Sequence, residues 1–267
     1  MAKRRSPGQR SSDLYAFPHR HVALLEMAFS HASAIFPAMS EAPHPTRTVH
    51  CADARVWLPQ QGVLEGCSFI TSLPDVSELP HLSFDAWRAW FLAALGEVLA
   101  CTPDDGVALF FQTDIKKSGV WIDKGYLCSR AAEDAGMACL FHKVVCRRAP
   151  GTVTFGRPAY SHLLAFSRGV RLDLSRATAD VLEKAGESPW TRGMGQDACR
   201  LACRFVLENT TTRTIVDPFC GKGTVLAVAN ALGLSAVGVE ISKKRARQAN
   251  ALRLDDTRPN FVPTTGG

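Results

Sequence analysis

From Arg47 onward the chain alternates short apolar runs with longer stretches whose apolar residues recur every three or four positions. Seven runs read as strands: Arg47–Cys51, Cys67–Ser72, Gly106–Gln112, Cys139–Arg147, Tyr160–Arg168, Arg213–Asp217 and Ser235–Glu240. They are short and nearly continuous in apolar side chains, the pattern of strands covered on both faces. Between them, Trp87, Trp90, Phe91, Leu95 and Val98 share one face of a helix, as do Ala198, Leu201, Ala202, Phe205 and Val206. Such alternation predicts an α/β fold with a mostly parallel sheet and helices packed against it. One connection departs from the pattern. Residues 148–159, with Pro150, Gly151, Gly156 and Pro158, are too few for a crossover helix, so the runs on either side are expected to form an antiparallel edge hairpin.

Upstream lie an amphipathic helical stretch, His21–Ile35, and a link with Pro37, Pro43 and Pro45. The expected organisation is a basic flexible arm (1–20), a helix and Pro-rich link (21–45), one α/β domain (46–255) and a flexible tail (256–267).

Composition narrows the function. With 267 residues, 46% of them hydrophobic, the chain can bury a large core. Lys3, Arg4, Arg5, Arg10 and Arg20 against Asp13 put +4 of the formal +6 charge into the first 20 residues, an arm suited to phosphate contact ahead of a nearly neutral body. The longest uncharged stretch, Gly223–Val239, has 17 residues and three glycines, which is too short and too broken for a membrane helix. No apolar signal core precedes Glu26. A cytoplasmic protein with no membrane partner is expected, although the Ser- and Arg-rich start leaves an organelle transit peptide open. Nine scattered cysteines without a C-x-x-C pair fit a reducing compartment. Cys199 and Cys203 lie one helical turn apart with no histidine nearby, so they are expected in the core and no metal is expected.

The most informative stretch is Thr214-Ile-Val-Asp-Pro-Phe-Cys-Gly-Lys-Gly-Thr224, followed by an apolar helix and Ser235-Ala-Val-Gly-Val-Glu240. A strand ends in an acid, a glycine turn opens a helix, and the next strand ends in a second acid. In a doubly wound sheet this places a nucleoside-containing ligand across the strand ends. Gly221 and Gly223 would let the backbone approach it, and Glu240 would accept from both ribose hydroxyls. A P-loop would need Gly at 217 and Ser or Thr at 223, where Asp and Gly stand, and a dinucleotide loop would need Gly at 226, where Leu stands. An acid before the loop repels a pyrophosphate but suits the ammonium of a methionine moiety.

Asp217-Pro-Phe-Cys-Gly-Lys-Gly-Thr224 resembles the D-P-F-x-G-x-G-T cofactor loop of S-adenosylmethionine-dependent methyltransferases, in the form found among nucleic-acid amino-methyltransferases. The rest of that pattern stands upstream, in the circularly permuted order of the β-type enzymes. Cys51–Arg55 is similar to their G-D segment, and Cys67–Asp75 to their catalytic strand and D/N/S-P-P-Y/F turn. Gly106–Gln112 and Tyr160–Phe166 are similar to later strands, and Met194–Asp197 to an H-P-T-Q-like turn. The resemblance covers roughly residues 45–255. It implies a Rossmann-like, seven-stranded, circularly permuted methyltransferase sheet with S-adenosyl-L-methionine as cofactor, and seven strands are what the pattern supplies.

The resemblance also implies roles. Asp217, Pro218, Phe219, Gly221, Gly223 and Glu240 would hold the cofactor, with Asp53 accepting from the adenine amine and Gln196 meeting the methionine carboxylate at a helix start. Ser72, Pro74 and Asp75 fall at the catalytic turn, which here reads Ser72-Leu-Pro-Asp75 and lacks the aromatic ring that stacks on a flipped base. Asp75 could instead accept a proton or hydrogen bond from the acceptor. No cysteine follows Pro74, which argues against carbon methylation through a cysteine adduct. Asp114, Lys116, Lys117 and Trp121 combine charge with an aromatic platform, as a nucleotide-gripping loop would. Lys243, Lys244, Arg245 and Arg247 are expected on a solvated helix face, and His162 is a candidate to face the cleft. Ser167–Gly193, read as 27 largely helical residues, leaves little room for a groove-reading insert, so RNA is expected before DNA. The alternatives are a DNA amino-methyltransferase and a binding protein that has lost catalysis.

Overall fold

The computed structural model describes residues 44–254 except 174, 176, 189, 191 and 192; the expected arm, N-terminal helix, link up to residue 43 and tail from residue 255 lie outside the described residues. The chain runs β1 (Arg47–His50), α1 (Ala54–Trp57), β2 (Cys67–Thr71), α2 (Phe84–Cys101), β3 (Ala108–Gln112), β4 (Ile115–Lys117), β5 (Val120–Ile122), α3 (Lys124–Asp134), β6 (Ala138–Cys146) and β7 (Tyr160–Ser167). It continues through β8 (Val181–Leu182), α4 (Gln196–Asn209), β9 (Thr214–Asp217), α5 (Thr224–Ala231), β10 (Ser235–Val239) and α6 (Lys243–Ala251).

One sheet has the order β1-β10-β9-β2-β3-β7-β6-β8. The strands from β1 to β3 in that order pair in parallel. β7 runs antiparallel to both β3 and β6. The first strand in sequence therefore lies beside the last, the permuted arrangement, and all seven expected strands are present. Consecutive residues of the central strands enter opposite cores. Ile70, Leu109 and Ile215 meet α4 and α5, while Phe69, Phe110 and Val216 meet Trp87, Phe91 and Leu95 of α2. Burial on both faces is why these strands read as continuous apolar runs. Cys199 and Cys203 pack fully buried in the first core, where burial pushes the Cys203 thiol up to about 12.

Two expectations are corrected. Ser167–Gly193 carries no α-helix among its described residues. Its backbone is committed elsewhere: β8 pairs with β6 as an eighth strand, and the Asp180 carbonyl accepts from the Val144 N–H. Such tertiary demands override weak helix propensity. The expected loop after β3 is in part a hairpin, β4 pairing with β5 around Ser118 and Gly119, both at positive φ. No helix among the described residues is long and apolar enough to cross a membrane.

Candidate active site

Parallel strands deliver their carboxyl ends to one sheet edge, where open α/β sheets bind ligands. β9 ends at Asp217, 4% exposed. Its Oδ1 accepts from Thr71 Oγ1 at 2.7 Å and from the Phe219 N–H at 3.2 Å, tying the loop to the end of β2. Burial pushes the Asp217 carboxyl up to about 7, and the charge of Glu240 adds to the rise. Glu240, just beyond β10, is also buried; its Oε1 accepts from the Ser242 N–H and the Arg245 guanidinium, both at 2.7 Å. The second oxygen of each acid accepts no hydrogen bond from a described residue. Two buried acids, each with a spare oxygen, suit a ligand that brings a cation and a pair of hydroxyls.

The loop between them depends on left-handed glycines. Gly223 has φ 84°, and a Cβ there would lie 2.7 Å from Ala249 Cα; Gly221 has φ 54°, and its Cβ would lie 2.7 Å from the Trp190 ring. No L-residue fits either place without displacing its neighbour. Pro218 is buried, and Phe219 packs edge-on against Trp90 with ring centroids 5.8 Å apart.

Arg245 corrects the reading of α6 as a wholly solvated basic face. The helix starts directly after the Glu240 turn, so its first turn folds back over the strand end. Arg245 pairs with Glu240 and lies 5.9 Å from the Trp190 ring centroid. Asp53 is exposed after β1, capping α1 by accepting from the Arg55 N–H at 2.9 Å. The Glu240 N–H donates to the His50 carbonyl, so Asp53 and Glu240 follow neighbouring strand ends. Gln196 opens α4, but the backbone amides of this helix start already have partners. Its N–H donates to the Glu187 carbonyl at 2.8 Å, and those of Asp197 and Ala198 donate to the Ala185 carbonyl. The side-chain amide of Gln196 accepts from Arg200 at 3.3 Å.

At the end of β2, Ser72 and Pro74 are half-buried and Asp75 is buried. The Pro74 carbonyl accepts from the Trp87 indole at 3.2 Å. The Asp75 N–H donates to the Glu78 carboxylate at 3.2 Å, and its own carboxylate pairs with Arg157 at 2.9 Å. The turn borders a cavity of ≈ 60 Å³ whose walls include Ser72, Asp75, Gln112, Lys124, Arg147 and Arg157. Lys124 is almost fully buried; burial lowers its ammonium below the usual lysine range, against the opposing pull of Asp75. Sequence reasoning missed Gln112, Lys124, Arg147 and Arg157 as site residues. The one available signal was the arginine-bearing connection from Arg147 to Arg157.

The expected nucleotide-gripping loop divides. Asp114 is 1% exposed and cannot reach out. Its Oδ2 accepts from the Trp121 indole at 2.9 Å and lies 2.9 Å from His162 Nε2, while Oδ1 accepts from the Lys124 N–H at 2.8 Å. Burial raises this carboxyl, but its bond to His162 and the further bonds to Trp121 and Lys124 outweigh burial and leave it below the usual range. His162 is thus held between Asp114 and His142, whose Nε2 is 2.8 Å from His162 Nδ1. Lys116 donates to Thr154 and lies 4.9 Å from the Trp121 ring centroid; Lys117 lies 5.1 Å from that of Phe84. Trp121 remains half exposed.

Comparison with known proteins fits this geometry. The fold is shared with a candidate DNA modification methylase from Thermus thermophilus solved with S-adenosyl-L-methionine (TM-score 0.58, 19% identity, covering 76% of this chain and 91% of that one). It is shared too with PvuII DNA methyltransferase, described as cytosine-N4-specific (TM-score 0.60, 15% identity, covering 80% and 88%). No curated protein matches the chain. Together with a family match over residues 200–251, this shared fold gives the class: the chain is an S-adenosylmethionine-dependent methyltransferase. More particularly, residues 200–251, from α4 through the glycine loop to α6, match the N6_N4_Mtase family, described as DNA methylase.

Proposed function

We propose that the chain methylates an exocyclic amine of a base in DNA. The observation that carries this reading is the Thr71–Asp217 hydrogen bond at 2.7 Å, which joins the Ser72–Asp75 turn to the cofactor acid and so sets acceptor beside methyl donor. The family matched by residues 200–251 favours DNA, and the preference for RNA expected from the short 167–193 segment finds no support in it.

In this reading Asp217 offers its spare oxygen to the methionine ammonium, and Glu240 offers its own to the ribose hydroxyls. The Gly221–Gly223 backbone makes room for the chain between them, with Pro218 and Phe219 bracing the loop. Asp53 meets the adenine amine, and Gln196 is left with its side chain for the methionine carboxylate. S-adenosylmethionine, when bound, supplies a methyl group on a sulfonium, and sulfur keeps the electron pair of the broken S–C bond. On the acceptor side, one amine N–H is shared between Ser72 Oγ and the Asp75 carboxylate while the amine's nitrogen lone pair forms the new N–C bond. Pro74 shapes the turn, its carbonyl being taken by Trp87. One amine proton leaves to the Asp75 carboxylate, with Arg157 holding that carboxylate in place. Lys116, Lys117 and Trp121 then serve as a phosphate and stacking surface, and Asp114 serves as the buried anchor of their hairpin. Tritium transfer from labelled cofactor to duplex DNA and to bulk RNA tests the reading: label in DNA supports it, and label in RNA alone overturns it.

A further inference from the structure

Among the described residues, three buried side-chain polar atoms have no hydrogen-bond partner, and two of them, Oε1 and Nε2, belong to Gln112. Gln112 is the last residue of β3 and 1% exposed. The residues before it on the strand, Ala108–Phe111, are all apolar and buried, and an apolar side chain at its end would satisfy the same core. Burying a primary amide with no partner is unfavourable, so the fold gives no reason for it. Its position does: Gln112 lines the same cavity as Ser72 and Asp75, with Lys124, Arg147 and Arg157 on the other walls.

We propose that Gln112 binds the hydrogen-bonding edge of the target base and, together with the Asp75 carboxylate, selects a ring that carries an amine. This rests on the function proposed above and deepens it. A primary amide presents an acceptor and a donor side by side. Adenine and cytosine present the complement, an amine N–H next to an unprotonated ring nitrogen. Turned over, the amide would also match a keto oxygen beside a ring N–H, so Gln112 alone does not discriminate. The Asp75 carboxylate completes the choice. An amine has a second N–H to give to the Ser72–Asp75 turn while the first goes to Gln112 Oε1. A keto oxygen in that place would face the carboxylate with no hydrogen between them. Gln112 Nε2 donates to the ring nitrogen, which leaves the amine as the nucleophile closest to the methyl donor.

The test uses the full chain and Gln112→Leu, with three readouts: thermal melting, affinity for S-adenosylhomocysteine, and saturation-transfer NMR of free adenosine, cytidine and thymidine with S-adenosylhomocysteine present. The wild type is expected to show contact with adenosine or cytidine in excess of thymidine. Gln112→Leu should melt at the same temperature or higher, keep its S-adenosylhomocysteine affinity and lose the nucleoside contact. Single-turnover transfer to DNA should fall about 10- to 100-fold, the range for a lost bidentate contact. The inference is overturned if Gln112→Leu melts several degrees lower, if it retains the nucleoside signal or the transfer rate, or if the wild type gives no nucleoside signal. Gln112-dependent nucleoside contact without methyl transfer to DNA by the wild type would instead sink the proposed function and leave the base-binding role of Gln112 standing.

Discussion

Asp217→Asn separates binding from folding, because the carboxylate that would hold the cofactor opposes the fold of the free protein. Burial lifts its pKa from 3.8 to about 7. The sign follows from linkage: an acid whose pKa is raised on folding binds its proton more tightly when folded, so the free protein loses stability as pH climbs from about 4 to about 7 and then levels off. A shift of that size corresponds to about 4 kcal/mol at pH 8. Asparagine abolishes this penalty and can still accept from Thr71 through its amide oxygen. The unligated variant should therefore melt above the wild type at pH 8, and its melting temperature should vary less between pH 5 and 8. Cofactor binding goes the other way. An ammonium needs the ionised carboxylate, so wild-type affinity should weaken about eightfold between pH 7.5 and pH 6, both below the α-amino range near 8. Asp217→Asn should bind at least tenfold more weakly at pH 7.5, with a flat profile. Calorimetry at the two pH values decides it. A wild-type affinity unchanged between pH 6 and 7.5, or a variant that binds as tightly as the wild type, would refute the assignment of Asp217 to the ammonium.

Three further substitutions probe the rest of the site. Glu240→Gln should weaken S-adenosylmethionine about 10- to 100-fold, the scale of a hydrogen bond to a charged group, read by calorimetry. Gly223→Ala must hold a side chain at φ 84° against Ala249, so it should melt lower and bind cofactor more weakly; denaturant titration and calorimetry check both. Asp75→Asn should keep cofactor affinity while single-turnover transfer falls about 10²- to 10⁴-fold, the range for losing a proton acceptor.

Much of the fold was legible because its signals are local. The central strands place adjacent residues, such as Phe69 and Ile70, in opposite cores, which writes a run of apolar letters. The glycine loop was legible because chain direction, positive φ and two strand-end acids fall within 24 residues, from Asp217 to Glu240. What was missed depends on contacts between distant segments. β8 exists only because two residues meet β6, and its own stretch reads as helix. Arg245 looks like one more basic residue until α6 folds back onto Glu240. Gln112, Lys124, Arg147 and Arg157 come from β3, α3 and the β6–β7 connection, and no sequence spacing announces that they share one cavity. Asp114 illustrates the converse error: a charged residue among polar neighbours reads as exposed, yet it is the buried anchor of Trp121, His162 and the start of α3.

Transfer of a methyl group to an exocyclic amine of DNA can be read by mass spectrometry. Unmethylated duplex DNA is incubated with the protein and S-adenosylmethionine carrying a trideuterated methyl group, then digested to nucleosides. A trideuteromethyl group is expected on the exocyclic nitrogen of deoxyadenosine or deoxycytidine, and less of it with Asp217→Asn at sub-saturating cofactor. Deuterium on a ring carbon, or on ribonucleosides from RNA and none from DNA, would contradict amine methylation of DNA.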